Sequence, residues 1–349
     1  MRAAIAIPRS QPDHLSRAAF AVFVAAVKGG NALDAAARLY HDDLHTRAVL
    51  TRAAVDPAKT SEAGWASELV HTAFRRFLAG VEPLSAAARL IAMGIPAQLD
   101  GAGEAKYPVR SGSPAAAPWV AESGAIPVVA RQLGSVALGP RRKIALISVL
   151  SQELASRADG EATLTQILRE DAAYALDAAY FATTTGSASA HAGLLNGVTP
   201  LAASTEGGTA AMVTDLMALA SAVAAAGSGR VASVASTGRA ASTMIAAPDL
   251  RATVLASPAV PEDRVIAVDP LSLLHSTDPS PEVSAAKHTA IHMDDAPGAI
   301  SAAGAPNVVA APVTSLFQTA QIALRVLADM AWAKRRSGAV AYLDGADWS

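Results

Sequence analysis

The chain contains no cysteine, which excludes disulfides and thiolate metal sites and means that an oxidising compartment is not required. Aromatic residues are scarce at 4 %, although 52 % of the chain is hydrophobic, so any core is built largely from alanine and valine. Such side chains favour broad, flat contacts. An excess of one charge sign is missing too: 28 Lys and Arg face 30 Asp and Glu, giving a formal net charge of −2. No basic patch or RNA-binding motif stands out, which argues against sequence-specific nucleic-acid recognition. The apolar run "AAFAVFVAAV" (18–27) falls short of the roughly 20 residues that span a bilayer. Pro8, Pro12 and Asp13 precede it and "KGGNALD" follows, unlike a signal peptide. A soluble product made in the cytoplasm is therefore expected, with no membrane partner. At 349 residues there is room for two or three compact lobes.

Hydrophobic spacing predicts helices over 13–28, 31–55 and about 65–80. The second carries Leu33, Ala36, Ala37, Tyr40, Leu44 and Ala48 at three- and four-residue steps; the third carries Trp65, Leu69, Ala73 and Phe77. Residues 96–130 are rich in Pro and Gly, with short alternating pieces such as "KYPVR" and "WVAES", and read as a long β-hairpin. Over 135–155 a strand leads into a short helical turn. The strongest helix covers 159–182: Asp159 can cap it, Glu161 favours its positive end, and Leu164, Leu168, Ala172, Ala175 and Ala179 form its stripe. It would be on the order of 35 Å long. An alternating region follows, with helices at 209–226 and 237–247, strands near 231–235, 253–256 and 264–268, and a short helix at 270–275. Extended pieces fill 282–313. Residues 315–331 fit either a strand or a helix, and "GAVAYLDG" (338–345) is a strand.

Motifs for chemistry are weak. "HTAIH" (288–292), followed by Asp294 and Asp295, would place His288 and His292 on one helix face, fit for zinc with a carboxylate. The surrounding alternation instead predicts a strand, with the rings about 13 Å apart. There is no Glu after the first His, so the H-E-x-x-H form is missing. "TGSASA" (185–190) lacks the G-x-S-x-G elbow and reads as a loop. "AGSGR" (226–230) lacks the P-loop spacing and suits a helix stop. "PRRK" (140–143) and "AKRR" (333–336) suit solvated strand edges or ion pairs with a neighbour. No metal, cofactor or catalytic set is expected, and an enzyme is not the favoured reading.

"WVAESGAIP" (119–127) places a large Trp beside the soft, polar stretch 100–118. Trp119 either folds back on its own hairpin or reaches a neighbouring molecule. The order of pieces bears on that choice. A helical N-terminal arm, the Pro/Gly-rich hairpin, "ISVLSQELA", a long helix, "GLLNG" (193–197), an α/β lobe, "MDDAP" (293–297) and "SLFQTAQIALRV…GAVAYLDGADW" follow one another. This series, over about residues 60 to 349, resembles the major capsid proteins of tailed phages, the Hong Kong 97 fold.

The resemblance implies an α+β chain with a helical N-terminal arm (1–95), an extended β-hairpin loop (96–134), a peripheral domain with a spine helix (135–190), an axial domain (191–310) and C-terminal peripheral strands (311–349). It favours strand for 315–331. It also implies self-assembly through pentamers and hexamers into an icosahedral virion shell around non-specifically packaged double-stranded DNA, formed in the host bacterial cytoplasm. Portal and, in some relatives, scaffold, protease or decoration proteins are the further partners. An encapsulin-like compartment or a gene-transfer-agent shell would look similar; a cytoplasmic α/β metal-dependent enzyme using His288, His292 and the 186–197 loop is the alternative outside this class. In the family the hairpin crosses the adjacent subunit, which assigns Trp119 to the subunit interface and lets Glu122 pair with Arg141, Arg142 or Arg336 of a neighbour. One branch cross-links a hairpin-tip lysine to a C-terminal asparagine. This chain has Ser123, Gly124, Ala125 and Ile126 at the tip and "FQTAQIALRVL" near its end, so noncovalent stabilisation is expected. Only some 60 residues precede the resemblance, so scaffolding is either a separate protein or the task of the short arm.

Overall fold

The computed structural model describes residues 14–41, 43–51, 80–99, 103–110, 119–120, 122–123, 133–153, 160–248, 252–277, 282–294 and 313–348. The helix expected over 65–80, Asp159 as a cap, and Asp295 lie outside them. The described helices are α1 (His14–Lys28), α2 (Ala32–Tyr40), α3 (Leu44–Thr51), α4 (Ala86–Met93), α5 (Gly160–Tyr180), α6 (Gly208–Ala226) and α7 (Thr237–Ala246). The strands are β1 (Ile95–Pro96), β2 (Ala105–Arg110), β3 (Leu133–Leu138), β4 (Arg142–Ser151), β5 (Leu201–Ala202), β6 (Ala232–Ser236), β7 (Thr253–Ser257), β8 (Val265–Val268), β9 (Leu273–Thr277), β10 (Glu282–Ala286), β11 (Ala290–His292), β12 (Val313–Ser315), β13 (Gln321–Lys334) and β14 (Val340–Asp344). The chain divides into two compact units.

The first unit holds residues 1–89, 143–178 and 278–329. Here α1 packs on α2, α3 and β10, burying Leu15, Ala18, Ala19 and Phe23. The single helix expected over 31–55 is two. His41 adopts a left-handed conformation at φ 38° and ends α2. Asp43 then restarts the chain as a helix, its Oδ1 accepting from His45 N at 3.2 Å and Thr46 N at 3.3 Å. A local aspartate cap outcompetes the continuous apolar spacing. In α5, Leu164 and Leu168 are buried as expected, but Ala179 is exposed; Ala173, Leu176 and Asp177 take the buried face further along. Four-residue steps drift about 40° each around a 3.6-residue helix, so a long stripe must mix threes with fours. Antiparallel pairing of β10 with β13 sets Glu282 opposite Leu327 and Ala286 opposite Ala323.

The second unit holds residues 90–142, 179–277 and 330–349. Its main sheet runs β5-β14-β8-β6-β7, and α6 covers it through Leu219 and Val223, which pack with Val265, Ala267 and Leu343. Strand β14 pairs with Val268 through Val265 of β8 and with Leu201 and Ala202 of β5. The short helix expected at 270–275 is a single 3-10 turn, Pro270–Ser272, followed by β9. Asp269 caps that turn, and burial on both faces of Leu273, Leu274, His275 and Ser276 draws the next residues into a sheet. Residues 315–331, all but the last two of which belong to the first unit, resolve as turns followed by β13, a 14-residue strand. Along β13 the alternation of Ile322, Leu324 and Val326 prevails over the equally available helical stripe.

Candidate functional site

The hairpin is where the sequence placed function, and its base packs within the second unit. Strands β2 and β3 pair antiparallel from Ala105↔Leu138 to Arg110↔Leu133. Leu138, Leu99 and Ala97 bury against Leu274 and Ala331, and Tyr107 Oη donates to Gln98 O at 2.7 Å. The arm thus grows from a packed root, which lets a two-stranded ribbon persist without a sheet of its own. "WVAES" is not a strand in its described residues: Trp119 and Val120 are irregular, and Glu122 and Ser123 form a turn with Ser123 at φ 62°. Trp119 is fully exposed, at 102 %. Glu122 is exposed as well.

Arg141 and Arg142 lie at the root, where β3 leads into β4, rather than at the tip. Arg141 Nε donates to Ser276 Oγ at 3.2 Å, and Arg142 Nη1 donates to the carbonyl of Ala188 in the "TGSASA" loop. Arg336 is exposed at the start of a 3-10 turn, Ser337–Ala339. Among the described ion pairs within the chain, Glu122 joins neither Arg141 nor Arg142.

Beneath the root lies a cluster that the sequence did not reveal. Tyr180 Oη and His275 Nε2 are joined by a hydrogen bond of 2.6 Å, and the Tyr180 ring stands edge-on to Phe181 and Trp332. His191 Nε2 lies 2.9 Å from Met330 O, and Trp332 Nε1 donates to Ala192 O. Burial pushes His275 down to about 3 and pushes the Tyr180 phenol up, so both are neutral. His191 is also lowered by burial, opposed by its bond to Met330 O. Gly94 is required here, since a Cβ would lie 2.4 Å from His275 Nδ1. Lys334 Nζ donates to Leu194 O and Asn196 O, holding "GLLNG" down, and partial burial lowers its pKa. These groups are locked against one another, an arrangement that braces the root rather than one that turns over a substrate. The only sequence signal was an isolated histidine in the apolar "LLHST" (273–277).

The motifs weighed for chemistry fall apart in space or become structural. A bend at Lys287 and His288 separates β10 from β11; His292 pairs with Val313, and the His288 ring lies 5.8 Å from Phe317. No group of three His, Asp or Glu among the described residues is placed to hold a metal. In "AGSGR", Gly227 ends α6, and a Cβ there would meet Asp269 Oδ2 at 2.6 Å. Buried Asp269 accepts from Ser228 N, Ser228 Oγ and Ser272 Oγ at 2.7–2.8 Å. Burial alone would raise its pKa, but these bonds hold it below the usual carboxylate value.

No protein-family model matches the chain, and no curated protein matches it. The solved structures similar to it include phage structures and particles described as capsids or virus-like particles. One is from Microbacterium phage Oxtober96, at 14 % identity and a TM-score of 0.48, covering 75 % of this chain and 91 % of that one. Another is from Mycobacterium phage Bobi, at 17 % identity and a TM-score of 0.46, covering 74 % and 91 %. A third, described as the capsid of a native GTA particle, has 16 % identity and a TM-score of 0.47, covering 75 % and 91 %.

Proposed function

We propose that this chain is the major capsid protein of a tailed phage or prophage, a subunit that assembles with copies of itself into an icosahedral shell around double-stranded DNA. The observation that carries the reading is Trp119, bare in solvent on an arm whose root is buried. A large aromatic in that position is an interface anchor without its pocket. The neighbour that buries it is another copy, with Glu122 meeting Arg141, Arg142 or Arg336 across the contact. The pieces that carry the sequence resemblance occur in the order hairpin, 21-residue α5, α/β sheet and 14-residue β13.

On this reading residues 1–95 form the N-terminal arm and 96–134 the hairpin loop. Residues 135–190 and 311–349 form the peripheral domain. Residues 191–310 form the axial domain. The near-zero charge suits packaged DNA held without a tight grip. Cohesion is noncovalent. The shell belongs to a virion built in the host bacterial cytoplasm with a portal and, where needed, scaffold, protease or decoration proteins. A gene-transfer-agent or encapsulin-like shell uses the same subunit and differs in contents.

Expression of the full chain alone, with light scattering and negative-stain imaging of the same fractions, tests the reading. Megadalton shells or tubes are expected. They should carry nuclease-protected DNA only when formed with a packaging system. A monomer that stays monomeric with phage assembly factors present overturns the proposal.

A further inference from the structure

Helix α6 carries no exposed charged side chain. Its 19 residues contain one ionisable side chain, Asp215, which is 2 % exposed and accepts from Trp348 Nε1 at 2.8 Å and Ser204 N at 2.7 Å. Leu219 and Val223 fix one face of the helix to its sheet. The opposite face is bare. Val213 is 44 % and Met217 65 % exposed, with Thr214, Ala218 and Ser221 exposed between and beside them at helical spacing. A solvated helix face ordinarily carries Glu, Lys or Arg, as α5 does with Glu170 and α2 with Asp34 and Arg38. Depletion of charge is instead the compositional mark of a buried contact.

We propose that this outward face of α6 is a contact between copies of the chain; the proposal rests on the shell reading and names a second surface for it. Length and composition alone would let α6 cross a membrane. Leaving the sheet, however, would strip Asp215 of both donors and uncover Leu219 and Val223. The face also carries no Lys, Arg, Trp or Tyr to hold it at a lipid surface. The occupant is therefore protein. A 19-residue helix about 28 Å long and 10 Å wide offers on the order of 300 Å² per copy, against about 800 Å² per partner in a standard interface. That is too little for a stable one-to-one complex with a foreign protein. It is useful where the same weak contact repeats around a shell and the repeats add. An uncharged strip also meets any uncharged patch on a second copy without like-charge repulsion.

The cysteine-free chain makes the test clean. Ser221→Cys in the full chain is labelled with a benzophenone maleimide and irradiated. A product of twice the 35.3 kDa chain mass is expected, with the cross-link mapped by mass spectrometry to a peptide of a second copy. Met217→Glu should raise the concentration needed for assembly at least about tenfold, because it buries an unpaired charge at each contact. Since Met217 is exposed, the melting temperature of its monomer should match wild type. Cross-links confined to one chain, or flotation of the protein with phosphatidylcholine vesicles, overturn the proposal. So do shells of Met217→Glu that form at the wild-type concentration, and in that case the shell reading stands. If wild type builds no shell while Ser221→Cys still yields the intermolecular product, the shell reading fails and the contact survives.

Discussion

Asp177 and Ser85 are 92 positions apart, yet Ser85 Oγ donates to Asp177 Oδ1 at 2.5 Å. The same carboxylate accepts from Ala86 N and Ala87 N, while Ser85 Oγ accepts from Ala88 N at 3.0 Å. Three of the free N–H groups at the start of α4 are thereby satisfied in a site with no access for water. Asp177→Ala leaves two amides and a hydroxyl buried without that partner, and should cost about 3 kcal/mol in urea unfolding. Asp43 performs a related task and adds a pH dependence. Burial would raise it, but Thr46, the charge of His14 and Arg17 together lower it from 3.8 to about 2. A carboxylate held below its unfolded value stabilises above about pH 4, and that contribution disappears as pH falls through about 2. The stability difference between wild type and Asp43→Asn, from urea titrations at stepped pH, should shrink by about 2 kcal/mol between pH 5 and pH 2. Neither residue stood out in the sequence. Asp177 sits between Leu176 and Ala178 on a helix already read as amphipathic, and nothing local tells where Ser85 lies.

At the scale of elements, alternation and helical spacing located α1, α6, α7, β6, β7 and β8 to within a residue or two, because each is amphipathic or uniformly apolar over its length. Failures came where a local group or a tertiary partner decided. The Asp43 cap split one helix into two, and sheet pairing converted 273–277 to a strand. The loop after α5 is a further case. "GLLNG" stood out in the sequence only as a piece of the resemblance, and the close approach that fixes it was not legible: a Cβ on Gly193 would lie 1.9 Å from Ala182 O, against backbone that cannot yield without moving α5's end. Gly193→Ala should therefore destabilise by about 2 kcal/mol or more in urea unfolding, where an exposed glycine such as Gly229 is free of any such neighbour.

At the scale of the whole molecule, the exposed apolar side chains matter more than the buried ones. Trp119 on the arm and Met217 on α6 contribute little to the folding of a single chain, since neither is covered in it. The shell reading makes a sharp distinction here. Trp119→Ser should leave the monomer's unfolding midpoint within about 0.5 kcal/mol of wild type while lowering the yield of shells by light scattering. A Trp119→Ser chain that assembles as well as wild type would remove the anchor role from the hairpin.

The sequence by itself determined the periodic elements, a Pro/Gly-rich hairpin beginning near residue 96, the lack of any disulfide, and the order of pieces that resembles a phage capsid subunit. These are local or compositional properties, carried by residues within a turn or a strand of one another. Only the tertiary structure decided that His275 meets Tyr180, that Asp177 caps α4, that β14 joins the sheet of β8, and that one face of α6 is left bare. Each depends on which residues distant in the chain share a buried space, where an unmet hydrogen bond or an uncovered apolar face carries its full cost.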